Sequence, residues 1–311
     1  MSALEARMGM TGRRIWVVGA GGGGIGTAVS AELARAGADV VAIDRDRSAL
    51  DATLHAGQGA AGTIEPFVVN AGDRAEMESF AEAEQRADRV PDGLVNIVGG
   101  MGRDQFAAIT DTQDEIFEAV LDLNLRVSWL SSQTFAKTLF AASRGGSIVQ
   151  LASIAALQAM PFGATYAMAK AALISLSRTQ AIEWGPRGIR VNTIAAGTIR
   201  TPRSVSANDE RDRRVIPLGR RGHVEDIAGT ALFLLSDLAA FVTGQVIAVD
   251  GGASIKPSYL GDDALPVFVE DEALRERLFG STKLHGGTSS APPASAEGPD
   301  AADPITKDDK T

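Results

Sequence analysis

The chain has 311 residues, 45% of them hydrophobic, and a formal net charge of -9, with three histidines and no cysteine. Length and apolar content suffice for one large α/β domain with a buried core, while the negative charge and the lack of a basic stripe speak against a nucleic-acid partner. Without cysteine there is no disulfide, thiolate nucleophile or cysteine-ligated zinc; only His55, His223 and His285 remain as imidazoles, and no metal site is expected.

From about Arg13 to Gly252, short β-branched runs alternate with longer amphipathic segments, the pattern of βαβ units and a parallel sheet. The first run, Ile15 to Val18, follows two arginines as a signal peptide does, but it stops at a glycine block after four residues and reads as a buried strand. No uninterrupted apolar stretch approaches the ~20 residues that span a bilayer, so a cytoplasmic protein without membrane contact is expected.

The glycine block, Gly19-Ala20-Gly21-Gly22-Gly23-Gly24-Ile25-Gly26, leads into a helix predicted over Gly24 to Ala36. Backbone amides at such a turn, together with a helix N-terminus, can receive a pyrophosphate, and Gly19, Gly21 and Gly24 fit the G-x-G-x-x-G spacing. A second strand, Asp39 to Ile43, delivers Asp44 some 20 residues after the loop, where a carboxylate accepts hydrogen bonds from ribose hydroxyls. This favours NAD as cofactor over NADP, whose extra 2′-phosphate Asp44 would repel, although the neighbouring Arg45 offsets part of that repulsion. The alternative is that Asp44 caps the next helix. After a third strand, Ile64 to Val69, Asn70 and Asp73 either flank an adenine or begin a helix over Arg74 to Ala87.

A fourth strand, Gly93 to Val98, and a long helix, Thr112 to Ala142, precede the fifth strand, Ser147 to Leu151. Ser153 follows that strand, and thirteen positions later a helix over Tyr166 to Trp184 opens with Tyr166-Ala167-Met168-Ala169-Lys170. Four residues apart on a helix, a phenol and an ammonium share one face, and the cation lowers a phenolic pKa from its reference of about 10. Ser153 at a strand end can donate to a carbonyl oxygen while Tyr166 transfers a proton. Taken alone, Tyr166 and Lys170 make an ordinary surface pair and Ser153 a loop or cap residue. A sixth strand, Arg190 to Ile194, a helix over Val224 to Leu235 and a seventh strand, Gln245 to Val249, complete the pattern.

Residues 1–12 are expected to be flexible, 13–255 to form the catalytic domain, and 256–285 to form an extension with a short charged helix over Glu270 to Phe279. Residues 286–311, rich in Gly, Ser, Ala, Pro and Asp, lack the apolar side chains that offset ordering entropy and are expected to be a disordered tail.

Taken together, Gly24-Ile25-Gly26, Val95-Asn96-Ile97-Val98-Gly99, Asn124, Ser153, Tyr166-x-x-x-Lys170 and Val249-Asp250-Gly251-Gly252 resemble the short-chain dehydrogenase/reductase family over Arg13 to Gly252. The resemblance implies a doubly wound parallel sheet, a nicotinamide cofactor and redox chemistry at a carbon bearing oxygen. It implies that Tyr166 is the general acid/base, that Ser153 positions the substrate oxygen, and that Lys170 contacts the nicotinamide ribose and depresses the tyrosine pKa. Asn124 would help hold a proton-relay water. The cofactor residues it implies are Gly19, Gly21, Gly24, Ile25, Asp44, Asn70, Asn96, Gly99, Tyr166 and Lys170, with Gly197, Ile199 and Thr201 near the nicotinamide carboxamide. A homotetramer or homodimer through the Thr112–Ala142 and Tyr166–Trp184 helices is also implied. This chain departs from the family pattern at Gly19-Ala20, where Thr-Gly is usual, so a threonine hydroxyl contact is absent. Ile97, Ala196 and Asn70 replace the usual asparagine, proline and aspartate.

Gly100 to Arg103, Leu157 to Phe162 and Pro202 to Leu218 are expected to border the substrate pocket, the last as a charged lid. Arg203, Arg211, Arg213 and Arg214 alternate there with Asp209, Glu210 and Asp212, a spacing that suits a solvated face. Met160 and Phe162 suggest a hydrophobic alicyclic or aromatic alcohol or ketone, and serve equally well as packing residues. An NADPH-dependent ketoacyl reductase and a non-catalytic nucleotide-binding protein stand as alternatives.

Overall fold

Along strand β1 (Arg14–Val18) the side chains alternate between two apolar layers. Ile15 and Val17 pack with Val29, Leu33, Val40 and Leu234, whereas Trp16 and Val18 pack with Phe80, Phe135, Leu139 and Ile148. Burial on both faces is why the strand reads as an unbroken apolar run rather than an alternating one. A computed structural model describes residues 7–202, 204 and 209–257, with isolated positions 260, 273 and 277 beyond them.

After β1 come α1 (Ile25–Arg35), β2 (Asp39–Asp44), α2 (Arg47–Ala56), β3 (Thr63–Val68), α3 (Arg74–Arg86) and β4 (Gly93–Asn96). Next are α4 (Asp114–Leu121), a π-helical turn (Asp122–Arg126), α5 (Val127–Ala141), β5 (Gly146–Ser153), α6 (Ala164–Trp184) and β6 (Ile189–Ala196). Helix α7 (Asp209–Val215), helix α8 (Val224–Leu235) and β7 (Val246–Val249) follow. All strands are parallel, in the order β3-β2-β1-β4-β5-β6-β7, which is the expected doubly wound sheet. The order reverses direction between β1 and β4, and a crevice at the carboxyl ends of such neighbours is where α/β sheets bind ligands.

Three local differences from expectation have physical causes. Helix α2 was not expected, because only Leu50 and Thr53 are buried along it and its apolar periodicity is weak; Asp46 opens it by accepting the Ser48 amide at 2.9 Å. The single helix expected over Thr112 to Ala142 is two α-helices joined through the π turn, which inserts one residue into the rod. Strand β5 runs on to Ser153, so that this serine ends the strand rather than following it.

The chain divides into one unit of residues 1–258 and another of 259–311. Within the first, order is already present at Met10, whose side chain is fully buried and whose amide donates to Ala36 O at 2.8 Å. Residues 1–6, the tail from Gly286 and, apart from positions 273 and 277, the segment Glu270 to Phe279 lie outside the described residues. Among the described residues, no helix is long and apolar enough to cross a membrane, and no group of three or more His, Asp or Glu is placed to hold a metal ion.

Candidate active site

The glycine turn leaves β1 with its amides already engaged. Gly19 and Ala20 donate to Ile43 O, Gly21 to Asp44 Oδ2 at 3.0 Å, Gly22 to Ala49 O at 2.8 Å and Gly23 to Thr27 Oγ1 at 3.1 Å. The helical ladder of α1 starts only with Ala28 N–H to Gly24 O, and the helix has no side-chain cap. The first-turn amides of Ile25, Gly26 and Thr27 therefore form a donor set of the kind that holds phosphate.

The turn folds back so closely on its own chain that only glycine fits at two of its positions. A Cβ on Gly21 would lie 2.7 Å from Ala49 Cβ and 2.9 Å from Asp44 Oδ2, and one on Gly26 would lie 2.0 Å from Gly19 O. Gly24 faces Thr201 with 4.0 Å from its built Cβ to Thr201 Cβ, so the loop after β6 borders the same cradle. Asp44 ends β2 with Oδ1 accepting the Asp46 amide at 3.2 Å. Because Asp46 does the capping of α2, the alternative role for Asp44 falls away.

On the other side of the crevice, Lys170 is almost fully buried and donates from Nζ to Leu151 O at 2.9 Å. Desolvation lowers its pKa to about 8. Its Nζ lies 5.8 Å from the centre of the Tyr166 ring, which stands one helical turn earlier on α6. Burial pushes the Tyr166 phenol above its ordinary value, and the Ser153 hydroxyl beside it offsets part of the rise. The lowering of the phenol expected from Lys170 is thus not found, since desolvation outweighs the Ser153 hydrogen bond that opposes it. Ser153 Oγ accepts the Ala155 amide at 3.2 Å while its hydroxyl hydrogen-bonds the Tyr166 phenol.

Asn124 sits in the π turn, fully buried, with Oδ1 accepting the Gly100 amide at 2.8 Å and Nδ2 donating to Gly100 O at 2.8 Å and Val120 O at 2.9 Å. A Cβ on Gly99 would meet Lys170 Nζ at 2.6 Å and Asn124 Oδ1 at 2.7 Å, so the chain crosses here on glycine. The structure thereby gathers Ser153, Tyr166, Lys170, Asn124 and Gly99 at the carboxyl ends of β4 and β5.

Other expected contacts are placed differently. The Asn96 side chain does not reach the crevice: it donates to Ser132 Oγ and Gln150 Oε1 and accepts from Ser131 Oγ, because its position on β4 turns it toward α5. Asn70 is exposed and uses Oδ1 for a local turn to the Gly72 amide at 3.1 Å. Gly197 packs so closely on Asp250 that a Cβ would lie 2.6 Å from its Cα. Ile199 is buried and bridges to Gly222, and the Thr201 amide donates to Ser204 Oγ at 3.1 Å. His223 precedes α8, where Asp226 Oδ2 accepts its amide at 2.8 Å.

The expected solvated lid face is corrected at Asp212. This residue of α7 is buried and bonds Arg221 Nε at 2.7 Å, itself buried, and Arg211 at 3.1 Å. Burial opposes its ionisation, but the two guanidiniums hold the carboxyl below the usual range. Arg203 and the side chain of Asp209 lie outside the described residues.

Two threonines that sequence reasoning passed over also belong to this site. Thr27 and Thr53 are buried beneath the glycine turn with their hydroxyls 2.7 Å apart. No spacing rule points to them, since Thr53 lies on the unexpected helix α2.

Known proteins match this arrangement. A family model described as Enoyl-(Acyl carrier protein) reductase matches residues 19–254. The chain is 35% identical to the 3-oxoacyl-(acyl-carrier-protein) reductase of Thermotoga maritima over 80% of this chain and 100% of that protein. It is 33% identical to D-threitol dehydrogenase of Mycolicibacterium smegmatis over 79% of this chain and 95% of that protein. A solved short-chain type dehydrogenase/reductase from Mycobacterium ulcerans, 31% identical, superposes with a TM-score of 0.74 over 90% of this chain and 100% of its own. With the glycine turn, the Ser153, Tyr166 and Lys170 cluster and these matches together, the chain belongs to the short-chain dehydrogenase/reductase family of oxidoreductases.

Proposed function

We propose that the chain interconverts an apolar secondary alcohol and its ketone using NAD(H), with Tyr166 as the proton-transfer residue. The observation that carries this reading is the convergence of the Ser153 hydroxyl, the Tyr166 phenol and the buried Lys170 ammonium at the end of β5. The nicotinamide supplies or accepts the hydride and its two electrons. In the reducing direction, Ser153 donates a hydrogen bond to the carbonyl oxygen and fixes its distance from Tyr166. The phenolic proton passes to that oxygen as the carbonyl carbon becomes tetrahedral, and Tyr166 is left as phenolate until a solvent proton replaces it. Oxidation runs the same proton in reverse. Lys170 stabilises the phenolate, and Asn124 holds the Gly99–Gly100 crossover and a proton-relay water in place.

Two features support the choices of cofactor and substrate. Asp44 presents a carboxylate beside Gly21, where ribose hydroxyls gain an acceptor and a 2′-phosphate meets like charge. Phe106, Ile109, Leu157, Phe162 and Leu218 are large apolar side chains left exposed on the loops after β4, β5 and β6. Phe162 holds an unusual left-handed backbone, φ 62°, while its carbonyl accepts the Ala107 amide at 3.0 Å, tying two pocket-side loops together. A second reading, an NADPH-dependent ketoacyl reductase, takes its substrate from the Thermotoga maritima relative and its cofactor from the structure of an Agrobacterium tumefaciens 2-deoxy-d-gluconate 3-dehydrogenase with bound NADP, 34% identical with a TM-score of 0.71.

The test combines cofactor titration with a screen of secondary alcohols, hydroxysteroids, cyclic diols and hydroxyacyl thioesters. NADH should bind at least tenfold more tightly than NADPH, and Tyr166→Phe should lower turnover by about 100-fold or more with NADH binding unchanged. Undiminished turnover in that variant rejects the role of Tyr166, and tighter NADPH binding with thioester turnover selects the second reading.

A further inference from the structure

We propose that Thr27 and Thr53 form a buried hydroxyl clamp that presets the glycine turn for the cofactor's phosphates. The inference rests on the dinucleotide reading of that turn, but it is carried by hydrogen bonds in the protein itself. Thr53 Oγ1 donates to Ala20 O at 2.7 Å, and Thr27 Oγ1 lies 2.7 Å from Thr53 Oγ1 and accepts the Gly23 amide at 3.1 Å. Each hydroxyl has one proton to give. One arrangement therefore satisfies all three short contacts: Gly23 N–H to Thr27, Thr27 O–H to Thr53, and Thr53 O–H to the Ala20 carbonyl. Thr27 also lies 3.2 Å from Ala20 O, a longer contact that its single proton serves only by giving up Thr53.

The chain of hydroxyls begins and ends on the same turn, so it closes the loop from Ala20 to Gly23 through two side chains. Ala20 and Thr53 are fully buried and Thr27 nearly so, which excludes water as a substitute partner and makes each bond costly to lose. The turn needs such support. Gly22 and Gly23 have φ of 84° and 69°, freely accessible to glycine, and a run of four glycines has no side chain with which to hold one geometry. Gly19 and Ala20 supply no hydroxyl either. The clamp replaces that missing constraint from below, with Thr27 anchored in the first turn of α1 and Thr53 in α2. Because Gly19 to Gly23 have their amides taken, the clamp fixes where the donor set of Ile25, Gly26 and Thr27 begins. Preset donors spare the ligand the entropy of ordering them.

Thr27 and Thr53 are thus positioning residues, and isosteric replacement tests them. Thr53→Val keeps the shape and removes the hydroxyl; Thr53→Ser keeps the hydroxyl. NADH and ADP-ribose dissociation constants, melting temperature and amide hydrogen exchange at Gly21 to Gly24 would be measured on the full chain without substrate. Thr53→Val should weaken both ligands by about 5- to 10-fold, and Thr27→Val/Thr53→Val by about 10- to 100-fold, with faster exchange confined to the turn. Thr53→Ser should bind as the parent does. The clamp is overturned if Thr53→Val binds both ligands like the parent, if Thr53→Ser is as weak as Thr53→Val, or if exchange rises equally throughout the domain. Should the parent chain bind neither NADH nor NADPH, the dinucleotide reading fails, and localised exchange in the valine variants alone decides whether the clamp holds the turn.

Discussion

Lys170 carries its ammonium into a place that water scarcely reaches, where it donates to the Leu151 carbonyl. Its pKa of about 8 in the fold, against 10.5 for an unburied lysine, means that the folded chain binds this proton less readily than the unfolded one. Between those two values the unfolded state holds more protons, so this group's destabilisation, on the order of 3 kcal/mol below pH 8, fades as pH rises toward 10.5. Lys170→Met, which keeps the volume and drops the charge, should therefore show its greatest stability relative to the parent near pH 7. Denaturant titrations at pH 7 and pH 10 should show that difference shrinking, while turnover is lost at both. A difference that grows with pH contradicts the assignment of a buried charge to Lys170. At this scale Tyr166, Lys170 and Ser153 were legible because helical spacing and a strand end determine which side chains can meet. Asn96 was not, since only the pleat of β4 decides whether its amide turns toward the crevice or toward Ser131, Ser132 and Gln150.

Among the elements, α7 is held by a buried ion pair rather than by a solvated face. Asp212 reaches Arg221, and the next residue, Gly222, pairs with the segment after β6: its amide donates to Thr198 O at 3.0 Å, and its carbonyl accepts the Arg200 amide at 2.8 Å. Removing one partner of a buried pair leaves the other charged and desolvated, whereas replacing both by apolar groups is often neutral. Asp212→Asn should lower the melting temperature by several degrees, and Asp212→Leu/Arg221→Met should recover most of the loss. Equal losses in the two variants would show that packing, not charge, fixes α7. The strands were readable as β-branched runs and their parallel direction follows from the alternation with helices. Helix α2 and the π turn were not, because one buries too little apolar surface to leave a period and the other is a single-residue change of pitch that amphipathicity averages over.

For the molecule as a whole, the implied self-association has a candidate surface in a groove between the α4–α5 rod and α6, lined by Leu121, Leu125, Trp129, Ala172 and Leu176 together with the charged Asp122 and Arg126. Trp129 is 47% exposed there, with Phe117 and Met168 also exposed on α4 and α6. An indole half in water on a largely buried helix is costly unless another surface covers it. Trp129→Glu should shift the chain toward monomer in light scattering; an unchanged mass places the interface elsewhere.

The π turn gives this groove a further meaning. It carries residues that serve both sides of the rod: Asn124 reaches inward to Gly100, while Leu125 and, one turn on, Trp129 line the groove. Assembly and proton handling would then share one piece of backbone, and a subunit resting on Trp129 would act as a brace for the Asn124 amide.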